Sequence, residues 1–327
     1  MTDRASGTPT PSDAASTTAA PFTPVTGRRV VIAGASGFIG KYLTERFVAD
    51  GASVATIGRR GADAVWGDTA ALTRVLDGAD LLINLAGKSV NCRYTDRNRA
   101  AIFSSRLLTT EELGRVVSTL ENPPALWLNA STATIYRHAD DIAMTDEDGQ
   151  IGSGFSVNVA TSWEREFFAH DVTATRQVAL RMAIVLGDGS ALAPLLWLTR
   201  LGLGGTQHGG KTRGGRQRFS WIHIDDLYRA IRFIRDTPTL EGTVNLSAPG
   251  PVENRELMAT LRRVLSVPIG IPLFSWMIHL GAWVIRTEPE LLLKSRWVLP
   301  TKLQGAGFVF VFPGIEGALR DITKVTP

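Results

Sequence analysis

The chain has 327 residues, 44% of them hydrophobic, which suits one large α/β domain with a smaller lobe and excludes a wholly disordered protein. Its 35 basic and 31 acidic residues leave a net charge of only +4, and no basic run interleaves with aromatics, which argues against a nucleic-acid partner. A single cysteine, Cys92, rules out an internal disulfide and suits a reducing cytoplasm; its thiol reads either as a reactive group or as a small buried filler.

Met1 to Gly27 is mostly Thr, Ala, Ser and Pro without apolar periodicity, which predicts a disordered tail. It has no secretory apolar stretch and only Arg4 as a base, so no targeting signal is expected there. Order is expected from Arg28. Arg29 to Gly34 is a β-branched run that reads as a strand buried on both faces. A helix over Lys41–Ala49 and strands at Ala52–Ile57, 64–66 and Leu81–Leu85 follow, with a helix over Thr69–Leu76 between the last two. A long helix is expected over Asp96–Leu120. Strands at Ala125–Ala130 and Gln177–Val185 then flank a helix over Ser156–His170. The alternation predicts a Rossmann-type, doubly wound parallel sheet over residues 28–188, with 216–247 returning to it in part. Residues 189–327 form a smaller mixed α/β substrate lobe. Within it Gly202–Gly215 reads as a mobile loop, and Ile271–Ile285, too short for a membrane span, reads as a buried helix.

Gly34, Gly37 and Gly40 stand at G-x-x-G-x-x-G spacing directly after the first strand, opening a helix. The first permits the turn, the second lets a pyrophosphate approach, and the third brings helix and sheet together. The cofactor-binding candidates are Gly34, Ser36, Gly37, Phe38, Ile39 and Gly40, although a structural Gly-rich turn has the same look. Where a binder of NAD carries an acid at the end of the second strand, this chain has Gly58-Arg59-Arg60 and no carboxylate before Asp63. Arg59 and Arg60 suit a 2′-phosphate and point to NADP(H), unless both are solvated surface residues.

Further marks are Asn84-Leu-Ala-Gly87, Ser105-Arg106, Ser131-Thr-Ala-Thr-Ile-Tyr136, Trp163-Glu164, Trp221-Ile-His-Ile-Asp-Asp226 and Leu299-Pro-x-Lys302. On these motifs the chain, from about Val30 to Ile322, resembles the extended short-chain dehydrogenase/reductases, and within them the epimerase-family proteins with a C-terminal domain of unknown function, here about residues 270–322. The resemblance implies that Asp68 accepts a hydrogen bond from adenine, that Leu85, Ala86 and Gly87 line the cofactor, and that Thr132 is the catalytic Ser/Thr. The superfamily's proton-transfer pair, a tyrosine with a lysine four residues later, is missing. The residues four after Tyr42, Tyr94, Tyr136 and Tyr228 are Arg46, Asn98, Asp140 and Arg232.

Tyr136 is the candidate replacement, although the resemblance implies a mainly structural role for it. Arg216, in the glycine-rich loop, and His223 are candidate substrate residues; His223 also reads as a core histidine, with Asp225 or Asp226 capping a helix over Leu227–Ile234. Lys88 and Arg93 suit an anionic substrate or a solvated loop, and the acidic stretch Asp140–Asp148 reads as a solvated connection. Two functions stay open: an NADP(H)-dependent oxidoreductase or epimerase acting on a small polar, carbonyl or sugar-like molecule, or an NADPH-binding protein with little turnover. Neither nucleic acid nor membrane is an expected partner, and a monomer and a homodimer are equally compatible with the chain.

Overall fold

The computed structural model describes residues 22–189, 192–208, 214–274 and 295–324. The sequence folds as β1 (Arg29–Ala33), α1 (Phe38–Ala49), β2 (Ser53–Gly58), β3 (Ala64–Val65), α2 (Thr69–Leu76), β4 (Leu81–Asn84), α3 (Asp96–Val117), β5 (Leu126–Thr132), a 3-10 turn (Ala133–Ile135), α4 (Phe155–Phe168) and β6 (Arg176–Met182). The second half continues as β7 (Ile184–Leu186), α5 (Ala193–Leu198), β8 (Gln207–His208), β9 (Arg218–Phe219), β10 (Trp221–His223), α6 (Ile224–Asp236), β11 (Gly242–Leu246), β12 (Val252–Glu253), α7 (Asn254–Val264), β13 (Leu273–Phe274), α8 (Thr301–Gly305) and α9 (Ile315–Thr323).

Seven strands form one sheet in the order β11-β6-β5-β4-β1-β2-β3, with every pairing parallel. A parallel sheet is covered on both faces, so its strands are apolar at consecutive positions rather than alternate ones. In β1, Val30 and Ile32 pack with Leu43, Phe47, Leu227 and Ile231 under α1 and α6, while Val31 and Ala33 pack with Leu72, Leu76 and Leu113 under α2 and α3. Burying each such large side chain is worth about 1.5–3 kcal/mol, so the pattern of β1 requires a helical cover on both faces. Order turns at β1, whose neighbours are β2 and β4. Parallel sheets open a ligand crevice at the carboxyl ends of the strands flanking such a switch.

Several expectations are corrected. Phe22 to Gly27 is part of the fold: Val25 is buried in the core and the Gly27 N–H donates to the Gly51 carbonyl at 3.0 Å. The single strand expected over Gln177–Val185 is two, because the backbone leaves the main sheet at buried Ala183. There β7 pairs with β10 instead. In the glycine-rich stretch, Gln207–His208 pairs with Leu273–Phe274, and the Gln207 N–H donates to Asn254 Oδ1 at 2.9 Å. A Cβ on Gly205 would overlap the Ile271 backbone, so that glycine serves close packing rather than mobility. Residues 209–213 of the stretch, and most of the expected helix over Ile271–Ile285, lie outside the described residues.

The acidic connection is not merely solvated either. Asp146 accepts bonds from the Asn245 N–H (2.5 Å), the Lys302 N–H (3.0 Å) and Thr301 Oγ1 (2.9 Å), tying it to α8; burial pushes its carboxyl up. No described helix is long and apolar enough to cross a membrane.

Candidate functional site

The turn from β1 into α1 is built from backbone. Gly34 has φ +84°, and a Cβ there would sit 2.8 Å from the Leu85 carbonyl carbon, so the turn and the end of β4 meet only because Gly34 has no side chain. A Cβ on Gly40 would lie 2.7 Å from Ala35 Cα. Gly37 differs. Its φ of −76° is open to any residue, and a Cβ there would meet only the Gly34 carbonyl oxygen, at 3.5 Å. The space over Gly37 is therefore kept free of protein, and no side chain caps the α1 N-terminus, whose first N–H groups have no intrahelical acceptor. Open space, free donors and the positive end of a 12-residue helix fit a pyrophosphate.

The loop after β4 forms the opposite wall. Asn84 is buried and holds it: Nδ2 donates to Asn129 Oδ1 (2.7 Å) and Thr110 Oγ1 (3.1 Å), while Oδ1 accepts the Ala86 N–H (3.0 Å). Ser105 Oγ accepts the Lys88 N–H (2.9 Å) and Arg106 Nη1 donates to the Lys88 carbonyl (3.1 Å), so Leu85, Ala86 and Gly87 are fixed from both sides. Cys92 stands in the next stretch, half-buried, with Sγ 3.7 Å from the Ser89 carbonyl; the fully buried alternative does not hold.

At the end of β2, Arg59 and Arg60 are exposed and take part in no ion pair among the described residues. Asp63, the nearest carboxylate, accepts from the Thr56 N–H and Oγ1, both at 2.8 Å, and these bonds hold its carboxyl below the usual range. Asp68 Oδ1 accepts the Ala71 N–H at 3.0 Å and so caps α2, leaving Oδ2 for another donor.

Thr132 closes β5, half-buried. Its Oγ1 accepts the Thr134 N–H and lies 3.1 Å from Thr134 Oγ1. Tyr136 is 1% exposed; its hydroxyl donates to Asn245 Oδ1 at 2.8 Å, and the hydroxyl oxygen accepts from Arg181 Nη1 at 3.0 Å. Burial pushes the phenol up despite the opposing effect of Arg181, so it stays neutral and engaged. Arg181 in turn grips Glu164 through Nε (2.9 Å) and Nη2 (2.7 Å), and Ser131 Oγ donates to the same carboxylate at 2.6 Å. Burial works against the Arg181 charge, but the hydrogen bonds and charge of Glu164 more than offset it and hold the guanidinium above its ordinary value. This buried knot under the ends of β5 and β6 escaped sequence reasoning; the only signal for it was the Trp163-Glu164 pair. The α4 helix beside it carries neither tyrosine nor lysine.

His223 caps α6, which begins at Ile224 rather than Leu227. Nδ1 accepts the Asp225 N–H at 3.2 Å and Nε2 faces Asp321 Oδ2 at 3.2 Å. Burial lowers its pKa, and the carboxylates of Asp321, Asp226 and Asp225 offset that only in part. Asp226 is no cap: its two oxygens accept the Val311 and Phe312 N–H groups, both at 2.8 Å, and pin the C-terminal segment. A cleft of about 770 Å³ joins Ser36 and Phe38 of the turn to His223, Asp225 and Asp321. Thr132, Leu85–Gly87 and Arg216 do not line it; Arg216 is exposed between β8 and β9.

Residues 30–246 match the family model described as "NAD dependent epimerase/dehydratase family". The chain belongs to that family. Residues 273–322 match a second model, a domain of unknown function, DUF1731. The bovine epimerase family protein SDR39U1 is 33% identical over 302 residues, covering 90% of this chain and 99% of the relative. Epimerase family protein YfhF of Bacillus subtilis is 29% identical, covering 90% and 97%. The crystal structure of human SDR39U1 with NADPH superimposes with a TM-score of 0.81 at 28% identity, covering 90% of this chain and 99% of that one. Fold and family thus agree with the extended dehydrogenase/reductase resemblance.

Proposed function

We propose that this family member binds NADP(H) at the β1–α1 turn and acts as an oxidoreductase or epimerase on a small polar, carbonyl or sugar-like molecule. The observation that carries the reading is the protein-free space over Gly37 at an uncapped helix N-terminus, faced by the fixed Leu85–Gly87 loop. The backbone N–H groups of Phe38, Ile39 and Gly40 and the Ser36 hydroxyl would hold the phosphates. Arg59 and Arg60 would take the 2′-phosphate, with Asp63 already committed to Thr56; Asp68 Oδ2 would accept from adenine. The NADPH bound by human SDR39U1 supports the same choice of cofactor.

The cofactor, when bound, supplies the hydride chemistry. Thr132 orients and polarises the substrate carbonyl from the end of β5, its hydroxyl free to turn from Thr134 Oγ1 toward a substrate oxygen. Asn84, Ser105 and Arg106 hold the loop that shapes the crevice, and the Glu164–Arg181–Tyr136 knot keeps the β5 end rigid. His223 and Arg216 are assigned to the substrate side at the lobe. The dinucleotide domain would comprise residues 28–188 with β11, and the lobe the remainder, in a reducing cytoplasm.

A second reading, an NADPH-binding protein with little turnover, is favoured by α4, which offers no phenol or amine where the superfamily's pair stands. One experiment separates the two. NADPH and NADH are titrated by fluorescence against wild type and Arg59→Ala, and NADPH absorbance is then followed over a panel of aldehydes, ketones and nucleotide sugars. We expect NADPH to bind at least about tenfold tighter than NADH and the preference to shrink in Arg59→Ala. Equal affinities unchanged by the substitution would remove the NADP(H) assignment, and tight binding with no oxidation across the panel would favour the second reading.

A further inference from the structure

Arg106 is a half-buried cation that forms no ion pair among the described residues. Its guanidinium stands beside Gly87, with Cζ 3.1 Å from where a Cβ on that glycine would stand, and 5.1 Å from the centre of the Trp163 ring on α4. Nη1 donates to the Lys88 and Ile102 carbonyls. Among the described residues Nε and Nη2 have no hydrogen-bond partner and no carboxylate forms an ion pair with the group, yet neither nitrogen is sealed from solvent. Burial lowers its pKa.

Two other part-buried arginines are paired more fully. Arg181 is held by both oxygens of Glu164, and Arg176 donates to the carbonyls of Thr237, Leu240, Ile234 and Arg235. A part-buried guanidinium whose two unpaired nitrogens stay open to solvent can be completed by a ligand that reaches them. Its position names the ligand's side. The uncapped α1 terminus, across the crevice, already suits the cofactor phosphates, whereas Arg106 faces the β5 side, toward α4. Lys88 and Arg99 extend the same charge: Lys88 Nζ donates only to Asn98 Oδ1, and Arg99 lies over the Phe155 ring at the start of α4, 4.8 Å from its centre.

We propose that Arg106 binds an oxyanion of the substrate, a carboxylate or phosphate, through Nε and Nη2 at the Gly87 end of the crevice. The substrate class is thereby an acidic or phosphorylated carbonyl or sugar; this rests on the reading that the crevice takes NADP(H). A planar fork matches either oxyanion in a bidentate manner, which lysine cannot reproduce.

Malonate and inorganic pyrophosphate are titrated calorimetrically into wild type, Arg106→Gln and Arg106→Lys, each with and without saturating NADPH. The NADPH Kd and Tm of each protein are measured alongside. The expected result is that at least one probe binds NADPH-loaded wild type and weakens about tenfold or more in Arg106→Gln and less in Arg106→Lys, a loss larger than any accompanying rise in the NADPH Kd. If Arg106→Gln fails to fold, Arg106→Lys, which keeps a donor for the Lys88 carbonyl, carries the comparison. Probe binding that ignores both substitutions, or no probe binding to loaded wild type, overturns the proposal. So does an NADPH Kd that rises with the substitution while probe binding holds, since the oxyanion would then be the cofactor's. Failure of wild type to bind NADPH is scored separately and strikes the cofactor reading, leaving the probe titrations without NADPH to report on Arg106.

Discussion

Replacing Gly37 by alanine separates folding from cofactor binding. Its φ of −76° and ψ of 170° are accessible to alanine, and the added methyl touches only the Gly34 carbonyl oxygen, at 3.5 Å, an ordinary contact. The loss of a favourable N-cap residue and the gain from a less flexible unfolded chain are each below about 1 kcal/mol and opposite in sign, so stability is expected to change by less than about 1 kcal/mol. The methyl does fill the space assigned to the pyrophosphate. Overpacking of a tight contact costs about 1–3 kcal/mol, which converts to a rise in the NADPH Kd of roughly fivefold to a hundredfold. Gly40→Ala is the contrasting variant. Its Cβ falls 2.7 Å from Ala35 Cα, where backbone must move, and about 2 kcal/mol or roughly 5 °C of Tm should be lost. Fluorescence titration and thermal melts on both variants read the two effects apart. A Gly37→Ala protein that binds NADPH within twofold of wild type would refute the placement of phosphates over Gly37.

Other substitutions probe the frame around the crevice. Glu164→Ala strands Arg181 and should cost about 3 kcal/mol, whereas the double variant Glu164→Leu/Arg181→Met should recover much of it; equal Tm values for single and double variants would deny the pair its role. The depressed pKa of His223 sets a pH trend. The unfolded chain takes up its proton near 6.5 before the folded protein does, so stability is lost as pH falls from about 6.5 toward the lower folded value. A His223→Asn variant, able to cap α6, should show a shallower fall in Tm between pH 7 and 5 than wild type; parallel curves would exclude the residue. Asp226→Ala should free the Val311 and Phe312 amides and show as faster hydrogen exchange confined to that segment, and unchanged exchange there would mean that other contacts hold it.

The sheet was legible because its signals are local. The short, β-branched apolar run Val30–Ala33 reads as a strand covered on both faces because a glycine triplet follows it at once, a context that is itself local. The α2 limits, Thr69–Leu76, were readable for the same reason. What was hidden depends on partners far along the chain. Nothing near Tyr136 reveals that Asn245 and Arg181 occupy its hydroxyl, and nothing near Asp146 reveals Thr301 and Lys302. The cap of α6 was expected from a carboxylate and is made by His223, because a ring nitrogen can accept the Asp225 N–H as well. The isolated charge of Arg106 was also invisible, since a sequence shows which residue is cationic but not which cation lacks a carboxylate.

The pairing of β11 with β6 bears on how the protein is made and how it can be cut. The chain leaves the sheet after Met182, builds β7 to α6, and re-enters only at Gly242. Until then the free edge of β6 is an open template for pairing, and a nascent chain released near Leu186 would expose it. The nucleotide-binding half is therefore completed from residues synthesised within the second half, and a fragment ending at residue 188 should aggregate rather than fold. Exchange of whole substrate lobes between relatives would have to carry β11 as well, so cofactor and substrate specificity are expected to be inherited as one unit.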